Sequence, residues 1–117
     1  MIENLNGIHE TVKYKENSNV KLFINAEAED YPIHWHTPME IIMPLEGGYT
    51  VQIGDDLVHL NENDIIFIAS GVKHRLIAPD TGKRLILQIE WSAVSKIKEL
   101  NSILTLIAPA ITLTPET

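Results

Sequence analysis

Apolar and polar residues alternate along several short stretches of the chain, which predicts β-strands with one buried face. The clearest alternations cover residues 20–26, 49–53 and 85–91. Such stretches recur about every ten residues and are separated by turn-forming residues such as Gly47 and Gly48. This spacing is typical of antiparallel β structure rather than of alternating strands and helices. We therefore expect seven or eight strands in an all-β meander or jelly-roll barrel.

The pattern changes after Trp91, where apolar residues recur three or four positions apart. This periodicity predicts an amphipathic helix over about 92–107, with Ser92 as its N-cap and Pro109 beyond its end. The apolar stripe of this helix consists of Val94, Ile97, Leu100, Leu104 and Ile107. Residues 111–117 are expected to form a linker-like tail. Residues 1–110 would then be one barrel domain whose C-terminal helix packs on the barrel, pairs with a partner surface, or does both.

Composition narrows the classes of function. The 117 residues include sixteen acids, nine bases and no cysteine, and the net charge is −7. The acidic balance disfavours direct nucleic-acid binding by this segment, and the missing cysteines exclude disulfides and thiolate metal sites. The N-terminus has no signal-peptide pattern, and no apolar run has the roughly 18 residues that span a membrane. We expect a cytoplasmic protein without a membrane association.

Four potential metal ligands stand at spacings that a barrel can bring together. His34 and His36 alternate and therefore share one face of a strand, and Glu40 keeps the same parity if strand pairing resumes before it. His74 follows a second turn-like stretch at 69–71. We predict that these three imidazoles and one carboxylate meet inside the barrel.

This donor set suits divalent Fe, Mn, Ni, Co or Zn, and an octahedral ion would keep two positions open. With one carboxylate the ion keeps a formal charge of about +1, which favours an anionic or chelating hydroxy or carbonyl compound. The alternative is a polar barrel pocket without metal. His9 and His59 lack comparable neighbours in the sequence and are expected outside the site.

Large polar and aromatic side chains on the predicted strands are candidates for holding a small molecule. The residues that we predict to bind the ligand are Tyr49, Gln52, Gln88 and Trp91. Arg84 and Glu90 remain further candidates, because parity alone does not decide which side chains face inward. Trp35 lies between the two histidines and is expected on the opposite face, against the C-terminal helix or a second sheet.

The segment 34–47 resembles the first conserved motif of the cupin superfamily, and 64–74 resembles the second. The resemblance covers roughly 20–91 and implies a double-stranded β-helix, the cupin form of the jelly roll. It also implies a metal-ligand set, the two histidines and the glutamate of the first motif with the histidine of the second. The corresponding residues are His34, His36, Glu40 and His74.

Three positions depart from the usual cupin motifs. Ala28 stands where glycine is common, Ala69 where proline is common, and Ala78 where asparagine is common. These positions shape turns and do not bind metal, so the departures affect the expected loop geometry more than the expected ligands.

The chain resembles the N-terminal sensor half of AraC-type transcription regulators more closely than it resembles cupins in general. The characteristic sequence of this half is similar to segments 34–36, 40–47 and 60–68. The resemblance implies a barrel that binds a sugar or related metabolite, helices that pair two subunits, and DNA contact through a C-terminal helix-turn-helix half. That half has no counterpart in these 117 residues, so we expect a sensing domain from a longer regulator.

The expected function is therefore small-molecule sensing by a homodimeric regulator domain that catalyses nothing. A free-standing metal-dependent cupin enzyme, such as a dioxygenase or an isomerase, is the alternative from another class. A third alternative is a metal-free sugar-binding barrel.

Overall fold

A computed structural model describes residues 2–15, 18–26, 29–99, 102 and 109–115. The described residues contain eleven strands, one helical turn with named bounds, and further helical residues at 98, 99 and 102. Their bounds are β1 Leu5–Asn6, β2 His9–Glu10, β3 Val20–Asn25, β4 Tyr31–His34, β5 Met39–Glu46, β6 Tyr49–Ile53, β7 Asp56–Leu60, β8 Ile65–Ile68, β9 His74–Ile77, β10 Lys83–Ile89, α1 Trp91–Val94 and β11 Ala110–Leu113.

The strands form two antiparallel sheets with the core between them. The larger sheet has the strand order β11-β8-β5-β10-β3, the smaller has the order β4-β9-β6-β7, and β1 pairs with β2 in a separate hairpin. Neighbours such as β5 and β10 are distant in sequence, so the chain crosses repeatedly between the sheets, as a jelly roll requires. The predicted all-β jelly-roll barrel is confirmed.

The inner faces of the two sheets are apolar, as the alternation in the sequence predicts. Along β6, β8 and β10 every second residue is buried. Aliphatic residues with at most 1% of their surface exposed fill the core: Ile42, Val51, Leu60, Ile66, Ile68, Leu76 and Ile86. Each such side chain contributes roughly 1.5–3 kcal/mol on burial, so the core fixes the two sheets firmly against each other.

The turn between β5 and β6 depends on a glycine, as expected from the sequence. Gly47 has φ +80°, in the left-handed region that other residues rarely adopt. A Cβ at this position would lie 3.0 Å from the carbonyl oxygen of Thr81. Both the backbone angle and the close approach therefore require glycine.

The helix after the barrel differs from the one predicted. It begins at Trp91 rather than after Ser92, follows Glu90 at the N-cap without a side-chain capping bond, and ends at Val94. Val94 is buried, but the next residue of the predicted stripe, Ile97, is 47% exposed, because the chain turns at 95–97. Residues 98, 99 and 102 are helical again, within the predicted range. Positions 100, 101 and 103–108 of the predicted helix and its end lie outside the described residues. No helix in the described ranges is long and apolar enough to cross a membrane.

The tail is also different from the prediction. Residues 111–113 are not a linker but belong to β11, which pairs antiparallel with β8 from Ala110 opposite Ile68 to Leu113 opposite Ile65. The β-branched residues of this stretch favour an extended backbone, and β8 offers an otherwise unpaired edge. The larger sheet therefore gains its fifth strand from the C-terminal stretch.

Candidate metal centre

Strand ends bring the four predicted metal ligands together. His34 is the last residue of β4 and pairs in register with His74, the first residue of β9. Glu40 lies near the start of β5, and His36 lies in the short connection before that strand. All four side chains are buried, with at most 4% of their surface exposed.

The distances between these groups are short. The three histidines each offer one ring nitrogen, and these atoms lie within 4.8 Å of one another. The carboxylate Oε2 of Glu40 lies 2.9 Å from Nε2 of His74 and 3.5 Å from Nε2 of His36. The fold therefore brings the three imidazoles together and places the Glu40 carboxylate against two of them.

Backbone carbonyls orient all three rings. Nδ1 of His34 donates to the Pro32 carbonyl at 2.8 Å, Nδ1 of His36 donates to that of Pro38 at 2.9 Å, and Nδ1 of His74 donates to that of Val72 at 2.9 Å. A proton on Nδ1 leaves the lone pair on Nε2, the atom that faces the cluster. Metal-binding histidines are commonly held by such a bond on the second nitrogen.

The cluster fits a divalent cation. Nε2 of His36 and Nε2 of His74 are buried, and the group that faces both of them is the Glu40 carboxylate. Buried polar atoms are rarely left unpaired, and converging lone pairs beside a carboxylate repel one another unless a proton or a cation lies between them. Imidazole and carboxylate donors suit Fe, Mn, Co, Ni and Zn without distinguishing among them.

A cavity of about 330 Å³ opens beside this cluster. Gln88 lies between the cluster and the cavity. Its side-chain amide is buried and borders the cavity, and it donates to Oε1 of Glu40 at 3.1 Å. The residues that line the cavity are Ile2, Glu3, Glu10, Lys21, Phe23, Asn25, Tyr31, Glu40 and Gln88. A polar compound in this space would contact the carboxylates on the open side of the histidines.

Comparison with known families agrees with this geometry. The sequence profile of the cupin domain family Cupin_2 matches residues 22–89, which is more than half of the chain. The chain belongs to the cupin family. The predicted superfamily is thereby confirmed.

Two solved structures resemble the cupin in fold. A cupin-2 domain protein from Shewanella frigidimarina has a TM-score of 0.57 at 19% identity, over 65% of this chain and 76% of that one. A variant of oxalate decarboxylase from Bacillus subtilis also has a TM-score of 0.57 at 19% identity, over 65% of this chain and 22% of that one. At such identities the likeness shows the fold alone.

Among curated proteins, the cupin is similar to YdeC of Bacillus subtilis, which is described as an uncharacterized HTH-type transcriptional regulator. The two are 34% identical over 55 residues, which is 46% of this chain. The match spans only 19% of the length of that regulator.

The charge states of the cluster follow from its burial and its contacts. Burial alone would raise the pKa of Glu40, but the imidazoles of His36 and His74 outweigh it and hold that pKa well below its usual value. Burial lowers the pKa of His36, but Glu40 overcomes this and raises that pKa to about 8. For His34, burial prevails and lowers the pKa to about 4. A proton on His36 thus balances the charge of Glu40 near neutral pH, and a divalent cation would balance it in the same way.

The structure separates the four residues predicted to bind a ligand. Of these, Gln88 borders the cavity. Tyr49 is buried in the core of the barrel, and Gln52 lies on the other face of β6, where its amide donates to the Gly54 carbonyl at 3.1 Å. Trp91 begins α1 and does not line the cavity.

The aromatic partner of Trp35 is not the one expected from the sequence. The Trp35 ring packs against His9, with the ring centroids 4.2 Å apart, rather than against the C-terminal helix or a second sheet. His9 therefore packs on the segment 34–36 and is not among the three clustered histidines.

Sequence reasoning missed Glu10. This carboxylate borders the cavity, and its Oε1 lies 3.6 Å from Nε2 of His34. Burial raises its pKa, and the charge of His36 offsets this rise only in part; Glu40 adds to the rise, and Lys21 and His74 oppose it. The available signal was the Asn6-Gly7 pair, which favours a hairpin at this position.

Proposed function

We propose that this cupin is the small-molecule sensing domain of an AraC-type transcriptional regulator. The observation that carries the proposal is the 34% identity over 55 residues to the uncharacterized HTH-type regulator YdeC, and the AraC type is proposed from the resemblance of segments 34–36, 40–47 and 60–68. The barrel cavity of about 330 Å³ supports it, because that volume is at the lower end of small-molecule sites and suits a compound of monosaccharide size. DNA binding would belong to a helix-turn-helix half outside this chain.

The charges around the cavity favour a neutral, hydroxyl-rich ligand such as a sugar or related metabolite. Glu3, Glu10 and Glu40 line the cavity, whereas Lys21 is the only base among its lining residues. The sequence favours an anionic ligand, because a divalent ion with one carboxylate ligand keeps a positive charge. The excess of negative charge around the cavity would repel such a ligand. A neutral polyol avoids that repulsion, and its hydroxyl groups can donate to the carboxylates.

We further propose that His34, His36, His74 and Glu40 hold a divalent transition metal. The ion would supply a Lewis-acidic centre with a position open to a ligand oxygen. The chain contributes the orientation of this centre, because backbone carbonyls fix the three rings and Gln88 holds the Glu40 carboxylate. The surrounding barrel keeps the four side chains out of water.

A metal-dependent enzyme, such as a dioxygenase or an isomerase, is the second candidate function. One observation favours it: the carboxylates of Glu10 and Glu40 both border the cavity beside the histidines. A carboxylate in this position can accept a proton from a bound compound. A sensor would bind the compound in the cavity without converting it, whereas such an enzyme would convert it.

The deciding experiment measures stabilisation and turnover together. The protein is melted with Zn(II), Mn(II) or Fe(II) in the presence of neutral pentoses and hexoses and of their acid derivatives, and each stabilising compound is then recovered and analysed. We expect a neutral sugar to raise the melting temperature and to be recovered unchanged. Conversion that stops in His74→Ala but persists in the surface variant His59→Ala would establish the enzyme instead. Failure of every compound to stabilise the protein would contradict the sensor.

A further inference from the structure

The N-terminal hairpin is fastened to the segment that carries two of the metal ligands. Trp35 donates its backbone N–H to the Ile8 carbonyl at 2.8 Å and accepts a bond from the N–H of Glu10 at 2.9 Å. Trp35 stands between His34 and His36 in the chain. Its two backbone bonds therefore place the end of β2 beside these ligands.

The Glu10 side chain points from this hairpin into the site. Its carboxylate is only 11% exposed, and its Oε1 lies 3.6 Å from Nε2 of His34. Because Nδ1 of His34 donates to the Pro32 carbonyl, the facing Nε2 carries a lone pair. A lone pair and a carboxylate oxygen thus face each other, as they do between His74 and Glu40.

The distance between Oε1 of Glu10 and Nε2 of His34 is short enough for both atoms to bind one metal ion. Ligand atoms about 2.0–2.2 Å from a transition metal lie at most about 4.4 Å from each other. The separation of 3.6 Å between Glu10 and His34 meets this limit, as do those of 2.9 and 3.5 Å from Glu40 to His74 and His36. A second carboxylate would also complete the neutralisation of a divalent ion among uncharged imidazoles.

We propose that Glu10 is a second carboxylate ligand of the metal centre, so that metal binding fastens the hairpin 5–10 beside the cavity. The inference rests on the metal centre proposed above and extends it in two ways. It assigns a fifth protein ligand, which leaves one position of an octahedral ion for a ligand oxygen. It also makes the seating of the hairpin depend on metal occupancy.

Zinc affinity tests the assignment. Zn(II) binding is measured by titration calorimetry for the parent protein, Glu10→Gln and Glu3→Gln. Glu3 lines the same cavity on the same N-terminal segment, so Glu3→Gln removes an equal charge without removing the proposed ligand. We expect Glu10→Gln to bind zinc at least tenfold more weakly, and Glu3→Gln to stay within about threefold of the parent. Equal losses in the two variants, or none in either, would overturn the proposal.

Amide hydrogen exchange tests the link to the hairpin. Zinc should slow exchange at the backbone N–H groups of Glu10 and Trp35 by tenfold or more in the parent and in Glu3→Gln, but not in Glu10→Gln. Exchange that zinc leaves unchanged in the parent overturns the proposal even if Glu10→Gln does not fold. Zinc binding that Glu10→Gln retains in full rejects Glu10 as a ligand and leaves the metal centre standing. A parent protein that binds no zinc rejects both.

Discussion

At the scale of single residues, the candidate centre is organised by very local hydrogen bonds. Each of the three imidazoles donates to a carbonyl only two residues away in the chain. A short turn of backbone therefore decides both the tautomer and the direction of each ring, and strand pairing only has to bring the three turns together. This arrangement explains why residue type and spacing were so informative at these positions.

Loss of a single ligand should abolish stoichiometric metal binding. We expect one metal ion per chain in the parent protein and only traces in His36→Ala and Glu40→Ala, because each variant removes a donor that the buried site cannot replace with water at low cost. Elemental analysis after purification without an affinity column measures this. The exposed His59 on β7 supplies the control, since His59→Ala should keep the metal. Equal metal contents in all four proteins would reduce the cluster to a polar pocket.

Arg84 is a second unusual residue of the barrel. It is fully buried, and its three guanidinium nitrogens have no hydrogen-bond partner among the described residues. Its Cζ lies 4.5 Å from the centre of the Tyr31 ring and 5.2 Å from that of Tyr49. Desolvated cation–π contacts are worth about 2 kcal/mol each, whereas each unsatisfied buried donor costs about 1–3 kcal/mol, more for charged groups. The guanidinium group therefore contributes little net stability to the fold.

An apolar replacement of similar length should consequently be tolerated. We expect Arg84→Met to be at least as stable as the parent, because it removes the unpaired charge and still fills much of the space. Arg84→Ala should lose about 2 kcal/mol or more, because it leaves a cavity. Urea denaturation gives both free energies of unfolding. A similar loss in both variants would show instead that the contacts with the two tyrosine rings dominate.

The sequence pattern predicts part of the ligand set, because three of the four ligands lie close together in the chain. His34, His36 and Glu40 lie within seven residues, and strand parity alone places them on one face. Their contact with His74 depends on the pairing of β4 with β9, for which the cupin motifs were the guide. Glu10 could not be found in this way, because its contact with the site passes through a bridge between β2 and Trp35 that leaves no periodic pattern.

At the scale of elements, the turn between β5 and β6 offers a test of local strain. Gly47 and Gly54 both have positive φ, but only at Gly47 would a Cβ meet another atom, the Thr81 carbonyl oxygen. We expect Gly54→Ala to cost about 1–2 kcal/mol from the backbone angle alone. Gly47→Ala should cost more, because the close approach adds to that cost. Thermal denaturation of the two variants compares them, and equal losses would show that the Thr81 segment yields freely.

The errors at the level of elements also have physical causes. The periodicity after Trp91 predicts one continuous helix, whereas the chain turns at 95–97, exposes Ile97 and is helical again at 98, 99 and 102. The strand at 110–113 was overlooked because its partner β8 lies more than forty residues earlier, and a short edge strand carries little pattern of its own. Alternating strands with glycine turns between them were predictable, whereas pairings between distant segments were not.

At the scale of the whole molecule, the outer face of the larger sheet is apolar across all five strands. A single row runs through Leu22, Leu87, Ile41, Phe67 and Ile111 in register. Leu22 and Ile24 on the edge strand are each 60% exposed. Exposed apolar surface of this kind commonly marks an interface, and an apolar face adds no close like-charge contacts between two copies of net charge −7.

We accordingly expect the chain to form a homodimer through this face. Leu22→Lys should shift the sedimentation coefficient from that of a dimer to that of a monomer at micromolar concentration, because it places a charge in the apolar row. Leu57→Lys makes the same change on the smaller sheet, where Leu57 is 65% exposed, and should leave association unchanged. A monomeric parent protein would contradict the expectation directly.

The packing of Trp35 against His9 gives the protein a native optical reporter. The chain has two tryptophans, so Trp91→Phe would leave Trp35 as the sole source of indole fluorescence. Its ring centroid lies 4.2 Å from that of His9 in the hairpin, and in sequence Trp35 stands between the two histidines of the first motif. Movement of the hairpin would change the quenching of this indole, so site occupancy could be followed in real time without a label.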